Sequence, residues 1–166
     1  MREFAPGIHL VESTVRFYGV RIQTRMTVVQ LSGTRLFVHS PVPLDADLRR
    51  DLDRLGEVAF VVSPNKIHHL SIGEYIDAYP RAKVFASPGL PERRPDLAFA
   101  GVLGDQPEPG WAAELDQAAI GGNTFFAEIV FLHRASRTLI VTDLVENLDR
   151  ETASLFGRTL ARLFGV

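Results

Sequence analysis

The spacing of apolar residues changes near residue 45, and the change marks two kinds of structure. Before it, Ile8 to Glu12, residues 14–23 and Arg25 to Leu31 are short runs rich in Val, Ile, Phe, Tyr and Thr. Ser32-Gly33-Thr34 separates the third run from Arg35 to His39. Such runs, broken by turn formers, predict an antiparallel β start. After Ser40-Pro41-Val42-Pro43 the period becomes helical: Asp47 to Leu55 has apolar residues at 48, 52 and 55, with Asp45 or Asp47 as cap and Gly56 as stop. Glu57 to Val62 then reads as a strand carrying the unbroken apolar run Val58 to Val62. A helix is predicted from about Lys66 to Tyr79, capped by Asn65, packing through Leu70, Ile72, Ile76 and Tyr79, and ended by Pro80. Ala82 to Ala86 adds a strand, so residues 47–86 read α-β-α-β, an order that favours adjacent parallel strands flanked by helices.

Residues 87–110 are rich in Pro, Gly and charge and predict a surface loop with one short helix near Glu92 to Asp96. Beyond Trp111 and a short amphipathic piece come two strand-like runs, residues 124–133 and Arg137 to Thr142, around Arg134-Ala135-Ser136. Leu155, Phe156, Leu160, Leu163 and Phe164 mark a last helix. With no internal repeat and no linker, the expectation is one α/β domain over residues 1–166.

Composition narrows the function classes. At 166 residues, folding buries roughly 70% of the unfolded chain's surface, enough for a core without staples. A hydrophobic fraction of 46%, a charged fraction of 23% and a net charge of -2 exclude a disordered chain and give no electrostatic reason for nucleic acid or an anionic membrane as partner. The absence of cysteine removes disulfides, thiolate nucleophiles and thiolate-bound zinc. No apolar run approaches the roughly 20 residues that span a bilayer, and the N-terminal residues lack a leader's apolar core. The expectation is a cytoplasmic protein acting on an unknown small molecule, with the apolar stretch at 155–164 leaving room for self-association.

The candidate chemistry centres on Ser63-Pro64-Asn65-Lys66-Ile67-His68-His69-Leu70, where a buried strand delivers two histidines to a strand-to-helix junction. Consecutive helical residues point about 100° apart, so one metal would take one histidine more easily than both. The alternative is that one packs on the sheet and the other faces solvent. If the runs ending at His133 and beginning at Arg137 form a hairpin with a two- or four-residue loop, Glu128 stands opposite Asp143, and the paired carboxylates need a cation, an arginine or a shared proton. In that register His133 lies about 17 Å along the strand on the opposite face, which leaves it a hairpin-end histidine bonded to its turn. His9 and His39, near strand ends, receive the same structural reading. Gly121-Gly122-Asn123-Thr124 is a turn, and only by analogy an anion nest.

Taken together, Thr24 to Val29, His39-Ser40-Pro41, Ser63-Pro64-Asn65 with His68-His69, Tyr79-Pro80, Pro88-Gly89-Leu90 and Glu128 through Asp143 resemble an uncharacterised family within the metallo-β-lactamase-like superfamily. The resemblance implies a four-layered αββα sandwich with a site at the sheet edge between the β layers. The superfamily's metal motif, His-x-His-x-Asp-His, aligned on His69, puts Pro64, Lys66 and His68 at the other ligand positions. Asn123 falls where a ligand histidine is expected, Asp143 matches the bridging aspartate, and the superfamily's final strand and histidine would lie beyond Val166. The resemblance thus implies a degenerate centre: His68, His69 and Asp143 as metal ligands, Glu128 and Asp143 as catalytic carboxylates, and at most one zinc, manganese or iron ion. A metal-dependent hydrolase of an ester, lactone or phosphoester is one expectation. A non-catalytic protein of this fold, binding a small ligand or a protein partner, is the other.

Overall fold

The computed structural model describes residues 1–17, 20–121 and 127–145. Its frame is a seven-stranded sheet whose strands lie in sequence order from one edge to the other. β1 (Arg2–Ala5), β2 (Ile8–Phe17), β3 (Val20–Gln30) and β4 (Arg35–His39) pair antiparallel. From β4 onwards, β5 (Glu57–Val62), β6 (Lys83–Ala86) and β7 (Gly101–Val102) pair parallel. Parallel neighbours need crossovers, and these carry α1 (Ala46–Leu55), α2 (Ile72–Ala78) and α3 (Leu90–Arg93).

The three short runs expected between residues 8 and 31 are two long strands. Ser13 and Thr24, which looked like breaks, face each other within the β2–β3 ladder. Towards its tip this ribbon leaves the core: Thr14, Arg21 and Gln23 are exposed, so polar residues there need no turn to accommodate them.

α1 forms as its pattern predicts. The Asp45 carboxylate accepts the Leu48 N–H at 2.8 Å, Leu48 and Leu52 are buried, and the Gly56 N–H closes on the Leu52 carbonyl. The second helix departs from expectation: it begins at Ile72, not Lys66. The Asn65 carboxamide oxygen does accept the N–H groups of Ile67 and His68, as a cap would, at 2.9 and 3.1 Å. The Ser63 hydroxyl, however, lies 2.8 Å from the His68 carbonyl oxygen, which a continuing helix would offer to residue 72. Side-chain bonds to the local backbone compete with helix in this way, and Ile72 N–H bonds instead to the carbonyl of His69.

One face of the sheet is covered by Leu48, Leu52, Ile72, Tyr75 and Leu90 from the helices. The other packs on a second, three-stranded sheet ordered β10-β9-β8, formed by β8 (Leu115–Gly121), β9 (Ala127–His133) and β10 (Thr138–Ile140). The short amphipathic piece after Trp111 is therefore a strand. Between the sheets Trp111 is fully buried, meeting the ring edges of Phe37, Phe60 and Phe85 at centroid distances of 5.0 to 5.1 Å. Its indole N–H donates to Gln117 at 3.1 Å. Gly110 allows this approach, since a Cβ there would stand 2.4 Å from the Phe60 ring. The residues expected to form the last helix, Leu155 to Phe164, and the Gly121-to-Thr124 turn beyond Gly121 lie outside the described residues. Among those described, no helix is long and apolar enough to cross a membrane.

The β9–β10 hairpin pairs Thr138 with His133, Leu139 with Leu132 and Ile140 with Phe131, the register that, extended, sets Glu128 opposite Asp143. The ladder stops at Ile140, and the chain then wraps the Glu128 carboxylate. Thr142 N–H donates to Oε1 at 2.6 Å, and Asp143 and Leu144 N–H donate to Oε2 at 2.8 and 3.0 Å. Glu128 is wholly buried. Three backbone N–H groups face this carboxylate, an offset that the pairing of the two acids did not by itself predict.

Two outcomes follow from these buried polar groups. Glu128→Gln puts an amide N–H against backbone donors, and each lost charge-assisted bond is worth about 1.5–3 kcal/mol; urea unfolding is expected to show a loss of about 2–4 kcal/mol, and a change within experimental error would refute the clasp. His39, 1% exposed and edge-on to Phe131, has its pKa pushed from 6.5 down to about 3, chiefly by burial and secondarily by His68. Below pH 6.5 the unfolded chain therefore takes up a proton that the folded chain refuses, so stability present at neutral pH is lost on acidification. Unfolding measured from pH 7 to 4 should show a contribution of about 1.4 kcal/mol per pH unit that His39→Leu removes; an unchanged slope would contradict it.

Candidate functional site

Each of the three longer parallel strands ends on Ser-Pro: Ser40-Pro41 after β4, Ser63-Pro64 after β5 and Ser87-Pro88 after β6. Proline cannot donate to a ladder, so pairing stops at one level and three buried serines gather at one edge. Ser40 and Ser63 still close the sheet, donating their N–H groups to Val62 and Phe85 at 3.0 and 3.1 Å. Their hydroxyls then turn to the loop that follows β5.

That loop carries His68 into a continuous hydrogen-bonded chain. Ser40 Oγ lies 2.6 Å from His68 Nδ1, and His68 Nε2 lies 3.2 Å from Asp143 Oδ1. Asp143 Oδ2 accepts from Asn65 Nδ2 at 2.7 Å, and the same amide nitrogen reaches Thr142 Oγ1 at 3.1 Å. An ionised carboxylate only accepts, so His68 Nε2 carries a proton, and in the neutral ring Nδ1 is left to accept from the Ser40 hydroxyl. Burial works to raise the Asp143 carboxyl, but the hydrogen bond and charge of His68 and the Asn65 amide outweigh it and hold the group below its ordinary range.

Of the residues singled out in the sequence, His68 and Asp143 meet and His69 does not join them. Because residues 68–71 form a turn, the adjacent histidines diverge, and His69 Nδ1 takes a guanidinium N–H of Arg94 at 3.0 Å. Burial first, then the charges of Arg94 and Arg93, lower the pKa of His69. Glu128 stands beneath the site as the clasp of residues 142–144. His133 bonds Ser136 in its hairpin turn at 2.7 Å, and His9 reaches Gln30 at 3.2 Å. Among the described residues His39 Nε2 has no partner, and neither has the buried Ser87 hydroxyl.

Sequence reasoning missed Ser40. The signal was present in the threefold Ser-Pro at strand ends, but only the fold shows that these ends share one edge.

The side chains do not fit a bound divalent ion in this arrangement. Both nitrogens of His68 are engaged, both oxygens of Glu128 hold backbone N–H groups, and His69 faces a guanidinium. Among the described residues no three His, Asp or Glu side chains converge as ligands.

Comparison with solved structures places the fold. DIM-1 metallo-β-lactamase matches with a TM-score of 0.70 at 17% identity, over 93% of this chain and 74% of that one. The metallo-β-lactamase from Pontibacter korlensis matches at TM-score 0.63 and 11% identity, over 99% and 85%. The enzyme from Hirschia baltica matches at 0.60 and 14%, over 83% and 68%. These likenesses show a metallo-β-lactamase fold. No curated protein matches the chain. Residues 7–163 match the family described as "Domain of unknown function (DUF4336)", and the chain belongs to that family, an uncharacterised one of metallo-β-lactamase fold.

Proposed function

We propose that the chain is a hydrolase-like protein acting on a small ester, lactone or phosphoester, with His68 taking the proton of the attacking nucleophile, an activation that a metal ion would otherwise provide. The observation that supports this reading is the engagement of His68 on both nitrogens, by a hydroxyl at 2.6 Å and a carboxylate at 3.2 Å. A histidine held in one tautomer by a carboxylate is a general base poised against whatever lies on its other nitrogen. Asp143 orients the ring and would stabilise the imidazolium, and Asn65 fixes Asp143.

A second reading, a non-catalytic protein that binds a small ligand or a partner, draws on the burial of Ser40, which is 1% exposed. It shares the same edge and differs in having no turnover.

The metal question has a direct test. Protein purified without a histidine tag is expected to hold substoichiometric metal by elemental mass spectrometry, unchanged by His69→Ala or Asp143→Ala. Added zinc, manganese or iron should leave the melting temperature in place, since native-state binding would raise it by mass action. Stoichiometric metal that falls away with Asp143→Ala would return the site to a metallohydrolase. For the proton role, Asp143→Asn is expected to lower ester turnover roughly 10²–10⁴-fold, and unchanged turnover would contradict it.

A further inference from the structure

We infer that Ser40 is a covalent nucleophile, and that this edge performs metal-independent acyl transfer on carboxylic esters or lactones. The inference rests on the reading of His68 as a base and adds the atom that His68 activates. Three independent observations carry it. The Ser40 hydroxyl, His68 and Asp143 form one hydrogen-bonded line, with Ser40 Oγ at 2.6 Å from the nitrogen opposite the carboxylate. Nucleophile, base and orienting acid in that order are the parts of a serine hydrolase triad. The hydroxyl sits on Nδ1 and the acid on Nε2, and the relay works through either nitrogen because a neutral imidazole accepts on one and donates on the other.

The second observation is backbone strain. Ser40 has φ of 57°, in the left-handed region. Among the described residues the other non-glycine residues with positive φ, Thr34 at the end of a 3-10 helix and Arg137 in the hairpin turn, are exposed, whereas Ser40 is buried at the end of a sheet strand. A non-glycine residue held in this region is strained, and such residues cluster at active sites, where the sharp turn presents the side chain.

Third, the line is anchored at its far end. Asp143 receives the Asn65 amide at 2.7 Å, and its backbone N–H is fixed by the buried Glu128 carboxylate at 2.8 Å. A merely packed serine hydroxyl needs no such support. Ser40 itself is buried, and the outer members of the line, His68 and Asp143, have side chains 16% and 29% exposed.

The step balances without a metal or redox partner. Ser40 Oγ adds to the acyl carbonyl carbon as its proton passes to His68 Nδ1. The adduct collapses, the bond to the leaving alcohol breaks, and that alcohol takes the proton from Nδ1. Water then adds to the acyl-serine, giving a proton to Nδ1, and Ser40 Oγ departs with it, releasing the carboxylic acid.

Intact-mass spectrometry of the folded protein after treatment with a fluorophosphonate probe tests this, with p-nitrophenyl acetate as turnover substrate and a chelator present throughout. One adduct is expected, mapped to Ser40, absent from Ser40→Gly and Ser40→Ala and strongly reduced in His68→Ala. Turnover should fall at least about 100-fold in the serine variants. Ser40→Gly is included because glycine adopts the positive φ freely and keeps the fold. An adduct that persists in Ser40→Gly, or no adduct on the parent, overturns the inference. Loss of turnover in His68→Ala and Asp143→Asn but not in Ser40→Gly would retain the base and discard the nucleophile; turnover unchanged in all of them, or none in the parent, would discard both.

Discussion

One carboxamide ties the site together. Asn65 accepts the backbone N–H groups of Ile67 and His68 through its oxygen, and through its nitrogen it holds Asp143 and Thr142. The loop after β5 and the segment after β10 belong to different sheets and meet through this residue. A second tie, from Ile129 N–H to the Pro64 carbonyl at 2.8 Å, joins β9 to the same loop. His68 and Asp143 are therefore a pair because Asn65 fixes the backbone of one and the carboxylate of the other. Satisfied buried networks of this kind hold a geometry to within small tolerances, and losing one member strands the rest.

The frame beneath is set by packing. Trp111 and its ring partners keep the two sheets at a fixed separation, with Phe131 from β9 reaching Phe37 on β4 at 5.0 Å. Glu128 extends that rigidity to the edge, since its buried carboxylate takes three consecutive N–H groups beyond the β10 ladder. The charge at Glu128 thus shapes the backbone that presents Asp143, while the charge at Asp143 faces His68. Two carboxylates placed as neighbours by strand register have come to do different work.

Much of this was legible in the sequence, for reasons that can be named. The parallel strand Glu57–Val62 and the capped helix ending at Gly56 follow from local pattern and local chemistry, which the surroundings do not overrule. The β9–β10 register follows from hairpin arithmetic. What was not legible depends on competition and on distance. The helix from Lys66 fails because a serine hydroxyl takes the carbonyl it needs, and that is a choice between two bonds which pattern cannot weigh. Ser40 stands 28 residues from His68, and no spacing rule links them. His69, the better match to the superfamily's motif, is drawn off by Arg94 from a loop whose path the sequence leaves open.

His68 is held between the Ser40 hydroxyl on Nδ1 and the Asp143 carboxylate on Nε2. Long-range proton–nitrogen NMR of the imidazole reads this most directly. Expected for the neutral ring are a single tautomer with the proton on Nε2, an acceptor-type Nδ1, and signals unchanged by added zinc and shifted at Nδ1 in Ser40→Ala. A proton on Nδ1, rapid exchange between tautomers, or a zinc-induced shift of either nitrogen would contradict it.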